Sequence, residues 1–231
     1  MEVPNHLGII IDGNRRWARA KGMASWKGHW AGVENLEKRL DDCMKLGIPE
    51  VSVYTLSTEN LTRPKRELDE LFKIFYQYLD KWEKEKGGFL DKYQIKLRFI
   101  GDLDRLPLRL VKLMGRLMQK TAKYQKRVLN LLIAYGSKFE IKEMIKAVAR
   151  KIIRAGRVSV TERDIEANLL VKTPLDLVIR TGGTSRLSNF LLWQASYAEL
   201  YVTKKLWPDF SKKDLLKAIE WFNNQKRNFG K

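Results

Sequence analysis

Three short stretches concentrate the groups that could do chemistry: Asp12-Gly13-Asn14-Arg15-Arg16-Trp17, Ser57-Thr58-Glu59-Asn60-Leu61-Thr62-Arg63-Pro64 and Arg180-Thr181-Gly182-Gly183-Thr184-Ser185-Arg186-Leu187-Ser188. Their arginines are forks of donors that match phosphate oxygens. Gly13 lets the backbone approach a ligand closely, Asn14 brings both a donor and an acceptor, and Ser57 and Ser188 add hydroxyls. The acids within these stretches are Asp12 and Glu59, and Asp12 is placed to hold a divalent cation against phosphate oxygens. Such a set suits a strongly anionic ligand. Taken singly, each stretch is also ordinary turn chemistry or a basic loop.

What lifts them above that is where they sit. An apolar run from Leu7 to Ile11 reads as a buried strand, Val51 to Leu56 as a second and Leu175 to Ile179 as a third, and each opens into one of the three stretches. In a parallel sheet the carboxyl ends of strands share one rim, so the loops can converge on one crevice. Helices are expected from Trp26 to Leu46, with His29 near the start and Gly47 at the end, and from Glu67 to about Lys86. The second carries a stripe of Leu68, Leu71, Phe72, Phe75, Leu79 and Trp82, whose default meaning is core. Further strands are expected at Ile95–Ile100, Val128–Ala134 and Leu200–Thr203, and helices at Leu110–Thr121, Glu140–Ala155 and from Ser211 onward, with a helix cap at Thr161–Asp164. Strands alternating with helices predict a single α/β domain over 1–231, a mainly parallel central sheet flanked by helices.

At 231 residues and 44% hydrophobic content the chain can bury one full core. No stretch approaches the roughly 18 apolar residues of a membrane span, and the eleven residues before Asp12 leave no room for a signal peptide. One cysteine, Cys43, excludes an internal disulfide framework and a Cys-based zinc site. A cytoplasmic location is expected. The balance of 45 Lys+Arg against 27 Asp+Glu, a net +18, attracts anions: nucleic acid, an acidic membrane surface or diphosphates.

Familiar phosphate devices are missing. There is no G-x-x-x-x-G-K-[ST] and no G-x-G-x-x-G after a strand. Two histidines and no Cys pair leave a zinc hydrolase poorly supported. Asp41-Asp42 lacks the third Asp with which paired-aspartate prenyl synthases bind magnesium, so that all-α class is not the one present.

The chain nonetheless resembles the cis-prenyltransferase family, of which undecaprenyl diphosphate synthase is the best-known member. The resemblance runs from about His6 to the C-terminus. It rests on His6 with Asp12-Gly13-Asn14-Arg15-Arg16-Trp17-Ala18, Gly28-His29 with Gly32, Ser57-Thr58-Glu59-Asn60 with Arg63-Pro64, and Asp176-Leu177-Val178-Ile179-Arg180-Thr181-Gly182-Gly183. Arg186, Ser188-Asn189-Phe190-Leu191-Leu192-Trp193-Gln194, Tyr197-Ala198-Glu199-Leu200 and Trp207-Pro208 complete it.

The resemblance implies an undecaprenyl diphosphate synthase-like α/β fold, a homodimer (a heteromer being the other form), and a hydrophobic tunnel for a growing chain. It implies Mg2+-dependent condensation of isopentenyl diphosphate onto an allylic prenyl diphosphate, giving a long-chain polyprenyl diphosphate lipid carrier. By position Asp12 would be catalytic and hold the metal, assisted by Glu199. Gly13, Asn14 and Arg16 would cradle the allylic diphosphate beside His29, with Arg15 and Trp17 in the same segment. Arg180, Arg186 and Ser188 would bind isopentenyl diphosphate. Ser57, Thr58, Glu59, Asn60 and Arg63 would form the loop closing over the reacting carbons, with Asn60 catalytic. The aromatic helix would then line the tunnel, and the product and basic surface would allow peripheral membrane contact.

Departures from the family pattern are Ser25 where many members have an arginine, Leu61 for an aromatic, Ile11 for a methionine and Asn228 at the C-terminal motif. The segment Lys84 to Lys92 reads as a longer stretch that would lengthen the tunnel. Ser25 and Leu61 keep an alternative in view, little elongation or prenyl transfer to another acceptor. A basic nucleic-acid-binding module is the third reading, disfavoured because the arginines cluster in strand-end loops and no nucleic-acid motif appears.

Overall fold

A computed structural model of the chain describes residues 2–156 and 159–225. Apolar runs become six strands: β1 His6–Ile10, β2 Glu50–Ser57, β3 Ile95–Ile100, β4 Arg127–Tyr135, β5 Leu177–Arg180 and β6 Glu199–Val202. They form one sheet in the order β3-β4-β2-β1-β5-β6, and every neighbouring pair is parallel. The helices are α1 Asn14–Ala20, α2 Ser25–Leu46, α3 Lys65–Lys84, α4 Phe89–Lys92, α5 Leu108–Thr121, α6 Ser137–Ala155, α7 Glu162–Asn168 and α8 Lys212–Asn223. The consequence for the site is immediate. β2, β1 and β5 are consecutive in the sheet, so the loops that leave their carboxyl ends lie side by side.

Local chemistry fixes the helix ends. Gly47 stops α2 in the left-handed conformation (φ 86°), its N–H returning to the Cys43 and Met44 carbonyls. Thr161 and Ser211 start α7 and α8 with reciprocal capping boxes to Asp164 and Asp214. α3 begins directly after Pro64, a residue that cannot donate but is preset for a helix start.

Alternation along the strands divides the core. Ile9, Val53, Leu131 and Ile179 face a large cluster built with α2, α3, α5 and α8, whereas Ile10, Tyr54, Leu132 and Val178 face a smaller one closed by Val171, Leu175, Phe190 and Leu191. Cys43 is fully buried in the large cluster, and burial pushes its thiol up to about 12. Leu61 also packs against that cluster, so its apolar side chain is tucked inward.

One expectation is corrected. The Lys84–Lys92 stretch does not extend a channel: α4 doubles back, stacking Phe89 on Trp82 at 5.9 Å and burying Leu90, because both side chains gain more from the core edge than from solvent. The Asn228 departure lies outside the described residues. Among the described residues no helix is long and apolar enough to cross a membrane.

Candidate active site

Asp12 follows β1, and its backbone is held before its side chain is considered. Its N–H donates to the Ile10 carbonyl (3.0 Å), while its own carbonyl accepts from the Thr181 hydroxyl (2.7 Å) and the Trp207 N–H (3.0 Å). The carboxylate is then shared between two guanidinium groups: Oδ1 accepts from Arg16 at 3.1 Å, Oδ2 from Arg180 at 3.0 Å. Arg16 also donates to the Gly182 carbonyl (2.8 Å). Arg180, only 4% exposed, donates to Ser188 Oγ (2.7 Å) and to the Arg186 carbonyl, and Arg186 Nε donates to the same Ser188 oxygen (3.1 Å). Positions 12, 16, 180, 186 and 188 thus form one network. Gly182 is required within it, since a Cβ there would stand 2.3 Å from Arg16 Nη2, at a φ of +84°.

A second cluster gathers around one carboxylate. Glu67, on the first turn of α3 and buried, receives His29 Nε2 at 3.3 Å and Arg63 Nη1 at 3.2 Å on its Oε1, with Arg15 Nε at 3.5 Å. Burial lowers the His29 pKa below its ordinary value and outweighs the opposing bond to Glu67, so the ring is neutral near neutral pH. Burial likewise lowers Arg63, which remains a cation. α1 can sit this close to α2 because of two glycines: a Cβ at Gly28 would meet the Asn14 carbonyl at 2.0 Å, and one at Gly32 the Asn14 side chain at 2.5 Å.

The Ser57–Arg63 segment winds into a short 3-10 turn over Glu59–Thr62. Ser57 Oγ accepts from the Asn60 N–H (3.2 Å), and Glu59 Oε1 accepts from Asn189 Nδ2 (2.9 Å). Burial pushes the Glu59 carboxyl up, but bonds from its own N–H, Ser57, Asn189 and Thr58 prevail and hold it below the usual carboxylate range.

Between these groups lies a crevice of about 430 Å³ lined by Asp12, Gly13, Asn14, Ser57, Asn60, Ser188 and five arginines: 15, 16, 19, 63 and 180. Asp12 is the one carboxylate in that lining. The floor opens past Ile11, His29 and Leu71 into an apolar channel of about 60 Å³ that continues along Phe75, Tyr78 and Leu79 to Trp82. At roughly 10–15 Å³ per water-sized group, that is room for about one five-carbon unit. The aromatic stripe of α3 therefore serves both core and channel.

Two expected residues are placed elsewhere. Trp17 turns its indole to Asp209 (Nε1 to Oδ1, 2.7 Å) beneath Lys21, anchoring α1 away from the crevice. Glu199 pairs with Leu177 at the start of β6, whereas the crevice lies beyond Arg180, which pairs with Val202. Parallel strands put those ends on opposite rims, so within one chain Glu199 does not join Asp12. Thr58, Glu59 and Arg186 flank the crevice rather than line it, Arg186 reaching it through Ser188. Conversely, Glu67, Arg19 and Asn189 belong to the site or its support and were not singled out. For Glu67 the signal was the Arg63/Glu67 spacing of four, typical of a helix-surface ion pair, and for Asn189 its place in the motif after Ser188.

No cluster of three or more His, Cys, Asp or Glu among the described residues is arranged to hold a metal. A single carboxylate facing a basic pocket fits Mg2+, which is bound through one or two carboxylates plus phosphate oxygens rather than a protein cage.

Comparison with known proteins agrees with this geometry. Residues 10–230 match the undecaprenyl diphosphate synthase (Prenyltransf) family model. An isoprenyl transferase of Aquifex pyrophilus is 40% identical over 100% of this chain and 97% of its own length. A tritrans,polycis-undecaprenyl-diphosphate synthase (geranylgeranyl-diphosphate specific) of Methanopyrus kandleri is 40% identical over 99% of this chain and 85% of its own. Among solved structures, lavandulyl diphosphate synthase from Lavandula x intermedia, in complex with dimethylallyl diphosphate, superposes with a TM-score of 0.92 at 34% identity over 99% of both chains. A probable undecaprenyl diphosphate synthase from Campylobacter jejuni gives 0.81 at 33% identity over 100% of both. With its all-parallel sheet and arginine-lined crevice, the chain belongs to the undecaprenyl diphosphate synthase family of cis-prenyltransferases, enzymes that transfer prenyl groups.

Proposed function

We propose that the protein condenses isopentenyl diphosphate onto an allylic prenyl diphosphate in a Mg2+-dependent reaction, extending the chain into the apolar channel. The observation that carries this reading is the junction of a crevice holding five arginines and one carboxylate with an apolar channel. A departing diphosphate accumulates negative charge, which fixed guanidinium groups stabilise more in the transition state than in the ground state. Arg15 and Arg63, gathered on Glu67 with the channel-lining His29, and Arg16 on the same α1 suit the allylic diphosphate. Arg180, Arg186 and Ser188 suit isopentenyl diphosphate. Asp12 would hold Mg2+, which when bound neutralises diphosphate oxygens. The apolar channel keeps water from the allylic carbon as it gains cationic character.

A long-chain polyprenyl carrier is the first reading of the product. It needs more room than the channel holds in this conformation, about one isoprenyl unit. That small volume favours the second reading, in which few units are added. Dimerisation is supported by the exposed apolar side chains of Leu192, Trp193 and Tyr197 (39%, 36% and 79%) in the segment leading into the edge strand β6, surface that a second copy would cover. The net +18 supports peripheral contact with anionic lipid.

The deciding experiment supplies labelled isopentenyl diphosphate with five- to twenty-carbon allylic primers, with Mg2+ or with EDTA, and sizes the product. Metal-dependent chain extension is expected. No transfer to any primer overturns the proposal, and products stopping after one or two additions select the second reading.

A further inference from the structure

Building on the two-diphosphate reading, we propose that Asn189 is a positioning latch: it ties the Ser57–Arg63 segment to the Arg180–Ser188 segment, so that the first closes only when the second is correctly set. Every polar group of Asn189 outside its own N–H is used across segment boundaries. Its Nδ2 donates to Glu59 Oε1 (2.9 Å), its Oδ1 accepts from the Lys138 N–H (3.0 Å), and its backbone carbonyl accepts from the Ser137 N–H (2.8 Å). The amide has one workable orientation, because turned over it would face a carboxylate with oxygen and an N–H with NH2.

The surroundings are shaped for this contact. A Cβ on Gly136 would lie 2.4 Å from Asn189 Nδ2 and 2.9 Å from Thr58 Oγ1, so the approach of the two segments needs glycine there. Ser188 and Asn189 are both left-handed (φ 51° and 66°), a conformation Asn tolerates and Ser does not favour. Such backbone persists where the surroundings over-determine it. Ser188 Oγ is the atom that receives Arg180 and Arg186, one residue from the latch. Tyr54, three residues before Ser57 on β2, donates its hydroxyl to the Ser188 carbonyl (3.3 Å) and fixes the arginine loop to the strand that leads into the closing loop. A shift of the arginine loop is therefore transmitted to the closing loop through Asn189 and Glu59.

Asn189→Asp separates latch from scaffold. It keeps the acceptor for Lys138 N–H and tolerates the left-handed backbone, but faces Glu59 with a second carboxylate. Glu59→Gln in that background returns an amide donor from the opposite side. In the full-length protein, Asn189→Asp is expected to lower kcat about tenfold and raise the KM for isopentenyl diphosphate. Melting temperature and affinity for a non-reactive allylic diphosphate analogue should stay near wild type, while amide hydrogen exchange over residues 57–63 accelerates. The double variant should recover to within about threefold in kcat and slow that exchange. Wild-type kcat and exchange in Asn189→Asp overturn the latch, as does a double variant no better than the single one. If the wild-type protein transfers no prenyl group, the functional reading has failed, and exchange over 57–63 still decides the latch.

Discussion

Glu67→Ala sets two physical effects against each other. Removing the carboxylate makes the crevice more positive; at a separation of roughly 8 Å and an effective dielectric between about 20 and 80, that favours a bound diphosphate by about 0.5–2 kcal/mol per charge. Against this, Glu67 holds three side chains on one oxygen: His29 at 3.3 Å, Arg63 at 3.2 Å and Arg15 at 3.5 Å. Without it, two long cations must be ordered by the ligand itself, at about 0.5–1.5 kcal/mol each, and the aligned guanidinium forks lose their geometry for in-line contact. Folding also suffers. The Arg63 side chain is 21% exposed and Arg15 44% exposed, so the first pairing counts nearly as a buried one and the second is discounted to the surface range. Together they indicate a loss of about 2–3 kcal/mol, or roughly 5–10 °C in melting temperature for a chain of this size. The expected result is a tenfold to hundredfold lower kcat/KM for the allylic substrate with affinity nearly unchanged, read by steady-state kinetics, calorimetry and thermal unfolding. Tighter allylic binding with unchanged kcat and melting temperature would refute the positioning role and leave Glu67 as a charge that merely weakens anion binding.

Other outcomes follow from single features. Asp12→Ala should abolish Mg2+-dependent transfer while circular dichroism stays native, since its carboxylate supports no core contact; retained metal dependence would sink its assignment. Gly182→Ala should displace Arg16 and strain a left-handed backbone by about 1–2 kcal/mol, weakening diphosphate binding in calorimetry; unchanged affinity would show that Arg16 adapts. Trp82→Ala should lengthen the product by one or more units on sizing gels, because Trp82 is the largest side chain lining the channel; an unchanged distribution would place the length limit elsewhere. Burial lowers the pKa of both His6 and His29. The unfolded chain therefore binds more protons below about pH 6.5, and stability present above that pH is lost as pH falls, at up to about 1.4 kcal/mol per unit for each ring. A melting temperature that is flat between pH 7.5 and 5.5 would contradict two neutral rings.

Much of this was legible from the chain. Period-two and period-3.6 patterns located the elements, and the rule that parallel strands share a rim brought Asp12, Arg180, Arg186 and Ser188 together in advance. What stayed hidden depended on the direction in which a side chain leaves its backbone. Glu67 has the sequence look of an exposed first-turn acid, and only the seating of α1 against Gly28 and Gly32 turns it into a buried hub. Trp17 sits in the motif but leaves α1 toward Asp209. Glu199 was placed by likeness alone, and its position at the amino end of β6, a strand parallel to β5, puts it on the far rim. Asn189 stood in the motif without a role, because its partners Glu59 and Lys138 come from the turn after β2 and the first turn of α6.

The inert thiol of Cys43 has a practical corollary. A maleimide reagent meets no competing nucleophile of that kind on the native surface, since the chain's single cysteine is sealed in the interior and stays protonated far above labelling pH. A fluorophore or spin label attached through a cysteine introduced at an exposed position near residue 62 would therefore report lid motion from one known place, without first rebuilding the core.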